Sequence, residues 1–219
     1  MILADLPIKY ALFDMDGTLT DTMPFWHAIP KRLVESRGVT LPAEAEAAIA
    51  PLGLVKGIEY INALHLSPEA DHFERKDVID LLAASYSTRS VAKPLVPELL
   101  EELRARGVRM GVATLTPVPL AEICLTLTGL LPYFEFVMGG DDYPEGKHTT
   151  RIFLDAAARF GCAPCEMHLF EDSFYSVKTA RTLDIPVVGV SDAAKAKDRE
   201  DMLSASVAFF DDGFRVRVK

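Results

Sequence analysis

Asp14 and Asp16, in the run Phe13-Asp14-Met15-Asp16-Gly17-Thr18, are two carboxylates two positions apart at the end of an apolar stretch, Ile8 to Phe13. Residues i and i+2 of an extended chain project the same way. Two like charges held that close raise each other's pKa unless a cation or a shared proton intervenes. The pair therefore asks for a metal ion. A hard divalent cation such as Mg2+ takes oxygen ligands and keeps waters that a phosphate can replace. Gly17 permits the backbone of a tight exit turn.

Other polar groups leave apolar runs in the same way. Val108 to Ala113 ends in Thr114, and Met167 to Phe170 runs into Glu171-Asp172-Ser173. Lys147 lies in a loop, Gly139-Gly140-Asp141-Asp142-Tyr143-Pro144-Glu145-Gly146-Lys147. With Phe134 to Met138, Pro186 to Val190 and Val207 to Phe210, these runs read as strands, and their near-continuous apolar character suits a parallel sheet buried on both faces. Helices alternate with them: Pro97 opens one that Gly107 closes, Thr116-Pro117 opens the next, and Gly161 follows Thr150 to Phe160. This is an α/β, doubly wound, Rossmann-like pattern. In such a sheet the ligand sits outside the carboxyl ends of the strands, where Asp14, Thr114 and Glu171-Asp172 would converge. Residues 22–93 show no strand pattern but helical segments around Phe25 to Arg37, Pro42 to Ala50, Lys56 to Leu64 and Pro68 to Tyr86. They predict an inserted all-helical domain in a core made of 1–21 and 94–219.

Composition narrows the partners. The 219 residues are 49% hydrophobic and carry a formal net charge of −9, so no basic stripe offers a footprint for nucleic acid or lipid. No apolar run reaches membrane-spanning length, and the N-terminus lacks a basic start and a signal-length apolar stretch, so a cytoplasmic protein is expected. Three cysteines give no disulfide framework. Cys162-Ala163-Pro164-Cys165 has redox spacing, yet it precedes a strand, where a thioredoxin-type pair would follow one and open a helix.

Asp14-Met15-Asp16-Gly17-Thr18, the strand closing on Thr114, Lys147 in its Asp-Asp and Gly-Lys setting and the acidic Glu171-Asp172 resemble, in order, the four motifs of the haloacid dehalogenase superfamily. The resemblance covers nearly the whole chain. The position of the insertion is similar to the alpha-helical cap of the branch containing beta-phosphoglucomutase and phosphoglycolate phosphatase, a cap that would cover the catalytic mouth.

The resemblance implies two-step phosphoryl transfer, with Asp14 as nucleophile and Asp16 as general acid and base. It implies Mg2+ held by Asp14, Asp172 and the backbone carbonyl of Asp16, with Glu171 direct or through water. Thr114 and Lys147 would serve the phosphoryl oxygens, and Lys56, in Pro51-Leu52-Gly53-Leu54-Val55-Lys56-Gly57, would contact substrate from the cap. The expected activity is a Mg2+-dependent phosphatase on a small phosphorylated metabolite, acting as a monomer or weak homodimer. The alternatives are a sugar-phosphate mutase and a non-catalytic phospho-accepting or binding protein. Trp26 stands where beta-phosphoglucomutases carry a His, which disfavours the mutase. Leu115 after Thr114, His148-Thr149-Thr150 after Lys147 and Ser176 in place of Gly depart from the usual pattern and bear on substrate orientation.

Overall fold

The apolar runs form one sheet. In the computed structural model, which describes every residue except 1, 2, 4, 5, 50–52, 71, 212–215 and 219, its strands are β1 (Tyr10–Phe13), β2 (Arg109–Ala113), β3 (Val137–Met138), β4 (Met167–Glu171), β5 (Val187–Val190), β6 (Ala208–Phe210) and β7 (Val216–Val218). Their spatial order is β3-β2-β1-β4-β5-β6-β7. The first six are mutually parallel and β7 is an antiparallel edge. That edge was not expected from the sequence, although Val216-Arg217-Val218 alternates as an edge strand does.

Helices follow in chain order: α1 (Met23–Ser36), α2 (Ala43–Ile49), α3 (Gly53–Ala63), α4 (Arg75–Arg89), α5 (Val96–Ala105), α6 (Val118–Leu127), α7 (Arg151–Phe160), α8 (Phe174–Arg181) and α9 (Arg199–Ala205). Burial on both faces holds the sheet. Ala11, Leu12, Val112, Ala113 and Leu169 are fully enclosed, and Phe13 stacks on its register partner Phe170 with ring centroids 4.2 Å apart. Strand order reverses between β1 and β4, which makes their carboxyl ends the topological switch point where ligands bind such sheets.

The chain divides into two compact units, Met1–Asp21 with Ser90–Lys219, and Thr22–Arg89. Residues 90–93, assigned above to the helical insertion, belong with the α/β unit. Asp21 N–H donates to Val91 O, Lys93 N–H donates to Leu19 O, and Thr20 bridges Ala92. Lys93 Nζ also reaches Asp192 Oδ2 at 2.7 Å in a buried ion pair.

In the helical unit, Ile29, Leu33 and Val34 form the buried stripe of α1, at the spacing of one helix face. The indole N–H of Trp26 donates to the Tyr86 hydroxyl at 3.1 Å. The helix expected from Pro68 to Tyr86 is broken into a single turn, Pro68–Ala70, and α4. The break is fixed at Phe73, whose N–H and carbonyl both bond the Asn62 side chain, while Asp77 Oδ2 accepts the Glu74 N–H at 2.9 Å and starts α4. No helix among the described residues is long and apolar enough to cross a membrane.

Candidate active site

Asp14 is placed by the sheet itself. Its N–H donates to Phe170 O at 2.9 Å, which carries the β1–β4 ladder one residue past β1. Gly17, at φ +91°, then turns the chain so that its N–H reaches Thr20 O, and Thr20 bonds back to Met15 O.

Glu171, the last residue of β4, is held from four sides. Oε1 accepts the N–H groups of Asp172 and Ser173; Oε2 accepts the Ser176 hydroxyl at 2.7 Å and Lys147 Nζ at 2.8 Å. Lys147 Nζ also donates to Asp14 Oδ1 at 2.5 Å. Lys147 as a residue is 1% exposed. It enters from one tight turn, Gly146–His148, in which Gly146 adopts φ +59° and His148 stacks on Tyr175 of α8 at 4.4 Å. An ion buried this deeply persists because each charge answers another.

Asp172 is enclosed as well. Oδ1 accepts the Ser173 hydroxyl at 3.0 Å, and Oδ2 accepts Lys195 Nζ at 2.7 Å; Lys195 also donates to Ser173 Oγ. Ser173 precedes α8 but does not cap it through its side chain, because its hydroxyl is committed to Asp172. Across the β2 end, Asp16 Oδ2 accepts the Thr116 hydroxyl at 2.7 Å and, at 3.5 Å, that of Thr114; Thr114 Oγ1 in turn accepts the Thr116 N–H.

Burial sets the electrostatics. It pushes Asp14 up to about 6 against the pull of Lys147, and raises Asp172 well above the usual carboxyl range despite Lys195. For Glu171 the burial effect is outweighed by Lys147 and Lys195, which hold it at about 2. Lys147 is kept charged because Asp14 and Glu171 overcome the desolvation that would discharge it. Carboxyl oxygens of Asp14, Glu171 and Asp172 all lie within 4.8 Å of one another. Three buried hard donors, two of them pushed upward by burial, match the needs of a hard divalent cation.

The geometry thus brings Asp14, Lys147 and Asp172 together, with Asp16 and Thr114 in an adjoining hydrogen-bonded pair. The Asp16 carboxylate is not among the three clustered acids; it is turned to Thr116. Lys56 is exposed on α3 of the helical unit, and Pro51 and Leu52 of its loop lie outside the described residues. Thr116, Ser176 and Lys195 were not expected. Thr116 reads as a helix-opening residue before Pro117, Ser176 as a departure from glycine, and Lys195 as one charge in a polar run. The cysteines are free, with Cys165 exposed on a single turn in which Glu166 accepts the Ala163 N–H.

A doubly wound sheet with acidic side chains clustered around a buried lysine at its switch point is the frame of a hydrolase that handles anionic esters. The chain belongs to the haloacid dehalogenase-like hydrolases, whose family profile matches residues 8–184. It is 31% identical over 188 residues, 82% of each chain, to a phosphoglycolate phosphatase of Nitrosococcus oceani. It is 28% identical over 179 residues, 81% of this chain and 82% of the relative, to a phosphorylated carbohydrates phosphatase of Thermotoga maritima. A solved Thermotoga maritima structure provisionally named a beta-phosphoglucomutase superposes with a TM-score of 0.73 at 27% identity, covering 92% of this chain and 94% of that one.

Proposed function

We propose that the protein is a Mg2+-dependent phosphatase that hydrolyses a small phosphorylated metabolite through an aspartyl phosphate, in the cytoplasm, as a monomer or weak homodimer. The observation that carries this reading is the buried Asp14–Lys147–Glu171–Asp172 network at the β1/β4 switch point. Asp14 attacks phosphorus, forming the acyl-phosphate P–O bond as the ester P–O bond breaks. Asp16 gives a proton to the departing oxygen, then takes one from the water that attacks the same phosphorus and frees Asp14 and inorganic phosphate. Thr116, with Thr114, fixes the Asp16 carboxylate for both transfers. Lys147 supplies positive charge to the phosphoryl oxygens, and Glu171 holds Lys147 in place. Asp14 and Asp172, with the main-chain carbonyl of Asp16 and with Glu171 beside them, would hold Mg2+, which when bound screens the approach of an anionic carboxylate to an anionic phosphate. Residues of the helical unit, Lys56 among them, select the leaving group.

The mutase alternative draws on the name of the Thermotoga structure. Against it, Trp26 has its only polar side-chain atom committed to Tyr86 and offers no basic nitrogen. A panel of phosphorylated metabolites assayed for phosphate release with and without Mg2+ decides between them. Mg2+-restored release is expected after chelation. Full activity after exhaustive chelation refutes the metal, and isomerisation of a sugar phosphate without phosphate release identifies a mutase.

A further inference from the structure

Lys195 touches one of the metal-site acids, Asp172, and belongs to none of the steps above. Its ammonium lies on Asp172 Oδ2 and Ser173 Oγ. Asp172 has no exposed side-chain surface, whereas the Lys195 side chain is 23% exposed. Both Asp172 oxygens are engaged, Oδ1 by Ser173 and Oδ2 by Lys195, so a cation that approaches this carboxylate meets a like charge already seated on it. Lys195 is the partner that a cation repels, and its partial exposure provides a route to solvent.

The backbone beneath it is tied by hydrogen bonds and an ion pair. Lys195 breaks the 3-10 geometry of Ala193–Asp198, at φ −120° and ψ 23°, and its N–H bonds Asp192 O at 2.9 Å. Asp192 is fixed by its buried pair with Lys93, which also donates to Ser191 O. The loop is thus anchored at its root by Asp192 and Lys93.

We infer that Lys195 is a built-in counter-ion for the metal site: it holds the Asp172 carboxylate while no metal is bound and is displaced from it when a divalent cation enters, so that it lowers metal affinity and stabilises the metal-free enzyme. This inference rests on the reading of Asp14 and Asp172 as metal ligands. It makes Lys195 a positioning residue, distinct from Lys147, which faces Asp14 and Glu171.

The test is a Mn2+ titration of the wild-type protein, Lys195→Met and Lys195→Arg, followed by the free-ion paramagnetic resonance signal, with thermal unfolding of each metal-free protein. Lys195→Met, which removes a like charge from beside the cation, is expected to bind Mn2+ at least about tenfold more tightly than wild type. It should also unfold at lower temperature without metal, a gap that closes at saturating Mn2+. Lys195→Arg, which keeps the charge, should follow wild type. Wild-type binding with equal or weaker affinity in Lys195→Met overturns the inference alone. Absence of Mn2+ binding in all three overturns both the inference and the metal reading. Should Lys195→Met not fold, the wild-type protein still decides: its Lys195 ammonium resonance, assigned by its loss in Lys195→Arg, should disappear when Mg2+ is added, and a resonance unchanged at saturating Mg2+ overturns the inference.

Discussion

Both units carry ion pairs at the surface, Arg104–Glu101 and Arg109–Glu135 among those of the α/β unit, but among the described residues only the α/β unit also buries charge. In the α/β unit, Asp14, Lys147, Glu171 and Asp172 are all buried and joined to one another through Lys147 or to Lys195. In the helical unit the ion pairs Lys31–Glu46, Arg37–Asp77 and Lys76–Asp80 lie at or near the surface. Exposed pairs contribute little, about 0–1 kcal/mol, and a buried set costs more in desolvation than apolar packing of the same volume would. The α/β unit therefore carries a network whose worth lies in chemistry, and the helical unit is an ordinary packed bundle with a surface open to variation. Substitution in the buried network should be fatal, and substitution in the helical unit should only change preference.

The sharpest contrast is at Asp14. Asp14→Asn removes the nucleophile, and phosphate release should fall by about 10^4-fold or more. A variant retaining most of the wild-type rate would dissolve the distinction between the units. Next comes Lys147→Met, which leaves Asp14 and Glu171 facing each other without a cation. It should destabilise the metal-free protein by about 3–5 kcal/mol, measured by denaturant titration, and lower kcat/KM together with stability. A stable Lys147→Met protein would mean that the buried acids share protons and need no lysine.

Thr116→Val tests a smaller part of the same network. Loss of the 2.7 Å bond to Asp16 should cost about tenfold to a hundredfold in kcat, as expected for a hydrogen bond to a charged group. The loss should shrink for substrates with good leaving groups, since the first proton transfer matters least there. An equal loss for all leaving groups would place Thr116 in folding and not in proton transfer. Smallest is Lys56→Ala in the helical unit. Thermal stability should not change, and kcat/KM for the true substrate should fall by about tenfold or less, with no change for a small generic phosphate ester. Equal losses for both would remove Lys56 from recognition.

Much of this site is legible in the sequence because strand ends announce themselves. Asp14, Thr114 and Glu171-Asp172 each follow an apolar run that can only be a buried strand, and a parallel sheet gathers those ends. What escapes are partners set by loop geometry. Lys195 stands 23 residues beyond Asp172 in a run, Ala193-Ala194-Lys195-Ala196-Lys197-Asp198, whose charges look solvated; only the kink at Lys195 aims one of them inward. Thr116 carried an adequate local explanation as the residue before Pro117, which hid the reach of its hydroxyl to Asp16. The break between Pro68–Ala70 and α4 was hidden for the same reason, since it depends on Asn62, eleven residues from Phe73.

If the proposed reading holds, the buried network at the β1/β4 switch point transfers a phosphoryl group through Asp14. Rapid-quench labelling with a radiolabelled phosphorylated substrate, followed by mapping of the hydroxylamine-sensitive peptide, tests it most directly. The label should appear on the peptide containing Asp14 within the first turnover and be absent from Asp14→Asn; label on any other residue would contradict the account.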